Sequence, residues 1–133
     1  IFEPGLGAAF IPNFSVGAML LEQFARRAVH LMSKVEIIEL HHAAKRDAPS
    51  GTALRLRRAL LEQSGGSADD IPIHSVRLPG LVAHHEVLLG RQGETLTLRH
   101  DVIDRGAFIP PLLATIRRVA RDGLLARGLE DVL

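Results

Sequence analysis

Apolar residues recur at helical spacing in three stretches of the chain. Ser15 and Ser50 each precede one of these stretches, where a hydroxyl can accept a hydrogen bond from a free N–H group of the first helical turn. Gly65-Gly66 follows the second stretch as a stop signal. The helices that this spacing predicts lie over about 16–33, 51–63 and 111–125.

Short runs of β-branched and apolar residues, bounded by Pro and Gly, predict strands between these helices. Alternation is clearest in Thr95-Leu96-Thr97-Leu98, and Arg91-Gln92-Gly93 indicates the turn of a hairpin. The predicted strands lie over 35–40, 73–78, 81–90 and 94–101. The element order predicts an α+β fold for residues 1–133: a four-stranded mixed sheet with two to three helices packed on one face, the other face being available for oligomerisation.

Composition narrows the possible functions. The 133 residues suffice for one domain with a buried core, and 16 Lys and Arg against 15 Asp and Glu give a net charge of +1. Because the basic residues are scattered and Trp and Tyr are lacking, nucleic acid is not an expected partner. No apolar run approaches the roughly 20 residues that span a bilayer. The chain has no cysteine, which is compatible with a reducing compartment, so we expect a cytoplasmic protein without a membrane partner.

Candidate chemistry is concentrated in residues 39–53, ELHHAAKRDAPSGTA, which we call the signature segment. His41 and His42 end a predicted strand, so their imidazoles should point to opposite faces and differ in role. Lys45 follows on a loop. Ser50-Gly51-Thr52 starts a helix, whose free N–H groups and dipole favour anions. The segment therefore predicts an anion site beside a group that titrates near neutrality.

The signature segment resembles that of dihydrodipicolinate reductases (4-hydroxy-tetrahydrodipicolinate reductases), which belong to the diaminopimelate route to lysine. Two further stretches support the resemblance: PNFSVG at 12–17 is similar to the family's hinge between cofactor and substrate domains, and LTLRHDVIDRGAF at 96–108 is similar to its late strand and the turn into its last helix. The closing GLEDVL also fits. The resemblance implies an oxidoreductase acting on a small cyclic dicarboxylate.

The resemblance also implies individual roles. It implies that His41 is the proton donor and acceptor, and that Lys45 binds substrate and helps to donate the proton. The residues implied to contact substrate are His42, Ser50, Gly51, Thr52 and Arg105. The residues implied to lie near the cofactor are Pro12, Asn13 and Phe14. Pro110-Pro111 replaces the family's usual small residues, and because proline fits a helix only in its first turn, the last helix should start later or kink, which affects the placement of Arg105.

The cofactor implied by the resemblance is NADPH or NADH. The sequence has no Gly-rich turn between a strand and a helix of the kind that binds a dinucleotide. We therefore interpret residues 1–133 as the C-terminal substrate-binding and tetramerisation domain, without the N-terminal dinucleotide-binding domain that binds most of the cofactor. On this interpretation the assembly is a homotetramer, and the isolated chain has no reductase turnover.

Two alternatives from other classes remain open. The first is a non-catalytic assembly or anion-binding module that has the same fold. The second is a metal hydrolase that uses His84, His85 and His100, although adjacent strand histidines diverge and no carboxylate or cysteine completes a ligand set at the required spacing. We therefore expect no metal.

Overall fold

The computed structural model describes residues 6–133, which divide into two compact units. The larger unit is Leu20–Ile103, and the smaller comprises residues 6–19 and Asp104–Leu133. The helices and strands are, in chain order, β1 (Ala8–Ala9), α1 (Val16–Ala28), β2 (Lys34–His41), α2 (Gly51–Ser64), β3 (Ile73–Arg77), β4 (Ala83–Arg91), β5 (Glu94–Val102), α3 (Ile109–Asp122) and β6 (Leu125–Ala126).

The larger unit contains a four-stranded sheet in the order β3-β2-β4-β5. Strand β2 is parallel to β3 and antiparallel to β4, and β4 is antiparallel to β5. A parallel pair needs a crossover, which α2 supplies between β2 and β3. The β4–β5 hairpin turns at Gln92-Gly93, and Gly93 has φ +89°, a conformation that glycine adopts without strain. The predicted four-stranded mixed sheet is therefore confirmed.

Helices α1 and α2 contribute to the core on one face of this sheet. The core contains Leu21 and Ala25 from α1 together with Leu56 and Leu60 from α2. Facing them are alternate residues of the strands, of which Ile37, Val87 and Leu89 are almost fully buried. Each such side chain contributes about 1.5–3 kcal/mol by leaving water. We call this side of the sheet the covered face and the opposite side the open face.

The smaller unit contains a short parallel pairing that the sequence did not predict. Ala8 and Ala9 of β1 lie beside Leu125 and Ala126 of β6. A small apolar cluster in the same unit consists of Ala126, Leu129 and Val132, with partly buried neighbours packed against it. Two-residue strands are too short to show an alternating pattern, which is why the pairing cannot be read from the sequence.

Two predicted helix boundaries were wrong. Helix α1 ends at Ala28 rather than at Ser33, because the N–H group of Ser33 already donates to the carbonyl of Gly90 and belongs to the sheet. Helix α3 covers Ile109–Asp122 rather than 111–125, and it ends at Gly123, which has φ +62°. Its two prolines lie in the first turn, as the rule for proline requires.

Among the described residues, no helix has both the length and the apolar character needed to cross a bilayer.

Candidate active site

The covered face of the sheet changes from apolar to polar towards the C-terminal end of β2. Alternation places Val35, Ile37, Glu39 and His41 on this face, all of them buried. Glu39 is paired in register with His85 of β4. Val35 and Ile37 belong to the apolar core, whereas Glu39 and His41 place a carboxylate and an imidazole further along the same face.

Glu39 is completely buried, with an exposed fraction of 0%. Burial raises the pKa of its carboxyl, but hydrogen bonds from Arg77, Ser75 and His41 outweigh burial and lower the pKa to about 2. Glu39 is therefore ionised at neutral pH, and an ionised carboxylate can only accept hydrogen bonds.

Arg77 holds this carboxylate in a two-point contact. Its Nη1 donates to Oε2 of Glu39 at 2.9 Å, and its Nη2 donates to Oε1 at 2.7 Å. The Nη2 group also donates to the backbone carbonyl of Asp47 at 2.7 Å. Since Asp47 belongs to the signature segment, Arg77 connects that segment to the sheet.

The same carboxylate is hydrogen-bonded to His41. Oε2 of Glu39 forms a short hydrogen bond with Nδ1 of His41, and because the carboxylate only accepts, Nδ1 must carry the proton. The nitrogen left for other partners is Nε2. Burial lowers the pKa of the imidazole, and the charges of Lys45 and Arg77 act in the same direction, while Glu39 opposes them. His41 is 7% exposed.

Two further histidines extend this polar row across the sheet. The ring of His85 lies edge-on to that of His41, with 5.4 Å between centroids, and stacks against that of His100 at 6.3 Å. His85 is 2% exposed, and neither of its ring nitrogens has a hydrogen-bond partner within residues 6–133. Burial lowers its pKa to about 4, so this imidazole is neutral at physiological pH.

In the loop of the signature segment, Lys45 is already paired with the carboxylate of Asp47. Nζ of Lys45 lies 2.7 Å from Oδ1 of Asp47, and the pKa of Asp47 is lowered first by this hydrogen bond and also by one from the backbone N–H of Gly51. Asp47 therefore lies between the lysine and the start of α2, the two groups that the sequence identified as an anion site.

Local sequence explains why α2 begins here. Oγ of Ser50 accepts from the N–H group of Ala53 at 3.2 Å, as the predicted cap requires. The N–H group of Ser50 itself donates to Oε1 of Glu39 at 3.2 Å, so the cap is anchored to the buried carboxylate. Gly51 is exposed and Thr52 half-buried at the first helical positions.

His42 follows the last residue of β2 and is half-buried, and its carbonyl accepts from the N–H group of Lys45 in a turn. Five predicted residues lie close to the buried His41 along the chain, in the strand end, loop and helix start that form the signature segment. They are His42, Lys45, Ser50, Gly51 and Thr52.

The remaining predicted residues belong to the smaller unit. Arg105 is exposed in a 3-10 turn that leads into α3, and Pro12 is exposed in a loop. Oδ1 of Asn13 accepts from the N–H group of Ser15 at 2.8 Å, and Phe14 packs against the small apolar cluster of that unit. The contacts described for Asn13 and Phe14 are structural.

Sequence reasoning missed Glu39 and Arg77 as parts of the site. Glu39 carried a usable signal, because a carboxylate two residues before a histidine on a strand must share its face. Arg77 carried none, since its position opposite His41 depends on the register between β2 and β3.

The histidines considered as metal ligands are divided between the two faces. His84 lies on the open face, where its Nδ1 is 2.6 Å from Oδ1 of Asp101, whereas His85 faces His41 and His100. The predicted divergence of adjacent strand histidines is confirmed. Within the described part of the chain, no group of three or more His, Cys, Asp or Glu residues is arranged to hold a metal ion.

Comparison with known proteins gives consistent matches. A family model described as dihydrodipicolinate reductase, C-terminus, matches residues 17–133. The 4-hydroxy-tetrahydrodipicolinate reductase of Symbiobacterium thermophilum is 55% identical, over 96% of this chain and 51% of that protein. The protein of the same name from Mycolicibacterium smegmatis is 44% identical, over 98% of this chain and 61% of its own length.

A solved structure also matches. A dipicolinate-bound dihydrodipicolinate reductase from Paenisporosarcina sp. TG-14 superimposes with a TM-score of 0.84 at 40% sequence identity, over 97% of this chain and 56% of that one. The chain therefore spans only about half to three-fifths of the relatives it matches, with 51%, 61% and 56% of their lengths covered.

Proposed function

The chain belongs to the dihydrodipicolinate reductase family, matching its C-terminal part, and from this we propose that it is the substrate-binding half of an NAD(P)H-dependent reductase. The proposed substrate is 4-hydroxy-tetrahydrodipicolinate, a small cyclic dicarboxylate. Addition of a hydride and a proton, with loss of the 4-hydroxyl group as water, would give tetrahydrodipicolinate in the diaminopimelate route to lysine. The observation that carries the proposal is the buried Glu39–His41 pair, which is followed by a loop in which Lys45 contacts the carboxylate of Asp47.

Lys45 and the start of α2 are proposed to bind a substrate carboxylate. Asp47 now accepts a hydrogen bond from Lys45, and the N–H group of Gly51 also contributes to lowering the pKa of its carboxyl. These two donors suit any carboxylate, because an ammonium and a helix N-terminus both stabilise negative charge. A substrate carboxylate would replace Asp47 there. Ser50, Thr52, His42 and Arg105 are the other proposed substrate contacts.

His41 is proposed to supply the proton that accompanies reduction. With Nδ1 bonded to Glu39, its Nε2 is the nitrogen that would hold and release this proton. An anionic substrate nearby stabilises imidazolium, so ligand binding would raise the pKa that burial lowers. Holding the substrate in a fixed orientation against the proton donor would by itself increase the reaction rate.

The residues of this chain do not fit a complete dinucleotide. Asn13 and Phe14 are engaged in structural contacts, and among residues 6–133 no helix follows a strand through a Gly-rich phosphate-binding turn. We propose that NADPH or NADH, the hydride donor, is bound mainly by a separate N-terminal domain, with Pro12, Asn13 and Phe14 near its nicotinamide. The expected result for this chain alone is no oxidation of the reduced nicotinamide in the presence of substrate.

The open face of the sheet supports the proposed homotetramer of a cytoplasmic enzyme. Neither α1 nor α2 packs on this face, and its half-buried Leu40 and Leu88 alternate with charged pairs. Sedimentation equilibrium should give a tetramer for the wild-type chain and smaller species for Leu88→Glu. A wild-type monomer would contradict the proposed assembly.

Calorimetric titration with pyridine-2,6-dicarboxylate, a planar dicarboxylate, tests the site directly. Lys45→Ala should weaken binding about 10- to 100-fold, since a hydrogen bond to a charged group contributes roughly 1.5–3 kcal/mol. Lys34→Ala is the matched control, because Lys34 is the other lysine of the chain and lies exposed at the opposite end of β2. It should bind like the wild type.

Two outcomes would contradict the proposal. Equal binding by both lysine variants would remove Lys45 from the site. No binding to a wild-type chain that is folded by circular dichroism would favour the non-catalytic assembly module.

A further inference from the structure

The carboxylate of Glu39 neither binds the ligand nor transfers a proton in the proposed reaction, yet the chain surrounds it with donors. They are Nη1 and Nη2 of Arg77, Nδ1 of His41 and the N–H group of Ser50. A carboxylate offers about four lone-pair positions, so these donors occupy its full capacity. A group held in this way cannot rotate or take up a proton near neutral pH.

We propose that Glu39, held by Arg77, is a positioning residue that keeps the proton of His41 on Nδ1 and thereby leaves Nε2 as the nitrogen that exchanges protons with a ligand. The inference rests on the proposed function only for the identity of that ligand. The tautomer itself follows from contacts within the larger unit, all of them between residues 39 and 77.

The geometry favours positioning over simple attraction of opposite charges. Glu39 and His41 are two residues apart on one strand, so their side chains extend side by side. Left alone, the carboxylate could turn away from the ring. Arg77, in register with His41 on β3, prevents this by its two-point contact, and its bond to the Asp47 carbonyl fixes the position of the loop as well. One arginine therefore aligns the imidazole and the anion-binding loop relative to each other.

A purely structural role is the competing explanation. Buried ion pairs are often no more stabilising than apolar residues of the same volume, so stability alone cannot distinguish the two roles. The protonation site of His41 can, because it should depend on Glu39 only if the carboxylate sets the tautomer.

The test is nitrogen NMR of the histidine rings in the ligand-free chain, which reports which ring nitrogen bears the proton. In the wild type, neutral His41 should carry its proton on Nδ1. In Glu39→Gln, Arg77 retains the amide oxygen as its acceptor, so the NH₂ group turns to His41 and the proton should move to Nε2.

The pKa of His41 in the same titration should fall further in Glu39→Gln, because the anion that stabilises imidazolium is lost. The other charged or titratable groups that act on His41 are unchanged in this variant. They are Lys45 on the loop, Arg77 on β3 and His85 on β4.

Glu36→Gln is the matched control. Glu36 is also on β2 and also contacts a histidine, with Oε2 2.7 Å from Nε2 of His74, but both side chains are about half exposed, at 53% and 52%. This variant should leave the tautomer of His41 unchanged.

The wild-type spectrum alone can overturn the proposal. A proton on Nε2 of neutral His41, or a mixture of both tautomers, would do so even if Glu39→Gln failed to fold. An unchanged tautomer in a folded Glu39→Gln chain would also overturn it. Since no ligand is present, failure to bind pyridine-2,6-dicarboxylate would count against the proposed function and leave this result untouched.

Discussion

Strand β2 has two glutamates that each contact a histidine, one on each face of the sheet. On the covered face, Glu39 contacts His41 with exposed fractions of 0% and 7%. On the open face, Glu36 contacts His74, and about half of each side chain is exposed. The two pairs have the same chemistry but differ in burial, and the pKa of the buried carboxylate of Glu39 is lowered to about 2.

The difference arises from what surrounds each carboxylate. Water competes for Glu36 and screens its charge, so an exposed pair of this kind contributes little and constrains its histidine weakly. Glu39 is shielded from bulk water, so its hydrogen bonds come from Arg77 and the backbone of Ser50 instead. Burial therefore converts an ordinary ion pair into a fixed element of the site.

The largest expected effect is on stability. Glu39→Ala should lower the free energy of unfolding by about 3–5 kcal/mol, because it leaves the buried partners of the carboxylate unpaired. Glu36→Ala should change it by no more than about 1 kcal/mol. Urea unfolding followed by far-UV circular dichroism measures both, which is convenient for a chain without Trp or Tyr. Equal losses for the two variants would mean that burial does not distinguish the pairs.

The next effect is on the dependence of stability on pH. His85 has a pKa of about 4 in the folded chain against 6.5 ordinarily, so the unfolded state binds more protons between these values. Stability is then complete above pH 6.5, and roughly 3 kcal/mol is lost as the pH falls to about 4. The lowered pKa values of His41 and His100 act in the same direction.

Replacing His85 tests this directly. Urea midpoints measured from pH 7 to 4 should fall less steeply for His85→Leu than for the wild type. Glu39 adds a second loss at lower pH, from about 4.5 down to about 2, because its carboxylate must then be protonated. A wild-type stability that stays constant from pH 7 to 4 would contradict the buried neutral imidazole.

The smallest expected effect concerns Asp47, an exposed carboxylate beside the buried network. Asp47→Asn should tighten binding of pyridine-2,6-dicarboxylate about two- to fivefold, because the ligand no longer competes with an exposed ion pair for Lys45. Glu36→Gln should not alter the affinity. Weaker binding by Asp47→Asn would show instead that this residue orders the loop for the ligand.

The features that the sequence predicted correctly are local ones. The cap at Ser50, the prolines in the first turn of α3 and the opposite directions of His84 and His85 depend on residues close in the chain. The resemblance of the signature segment to a known family was equally local, and the family match confirms it. These predictions needed no knowledge of which strands pair.

The features that were missed depend on pairing between distant residues. Arg77 reaches Glu39 only because β3 lies parallel to β2 in one register, and the β1–β6 pairing joins the two ends of the described chain. The end of α1 was misplaced for the same reason, since the bond from Ser33 to Gly90 crosses the sheet. Hydrophobic periodicity carries no information about such contacts.

The contact between Arg77 and Glu39 joins residues 38 positions apart. A peptide containing only the signature segment would therefore possess His41, Lys45 and the start of α2 without the arginine that aligns them. During synthesis on the ribosome, His41 would be made before Arg77, which holds Glu39 in place. The site would be complete only once β3 had emerged and paired with β2. The tautomer of His41 is thus a reporter of whether the nascent sheet has formed.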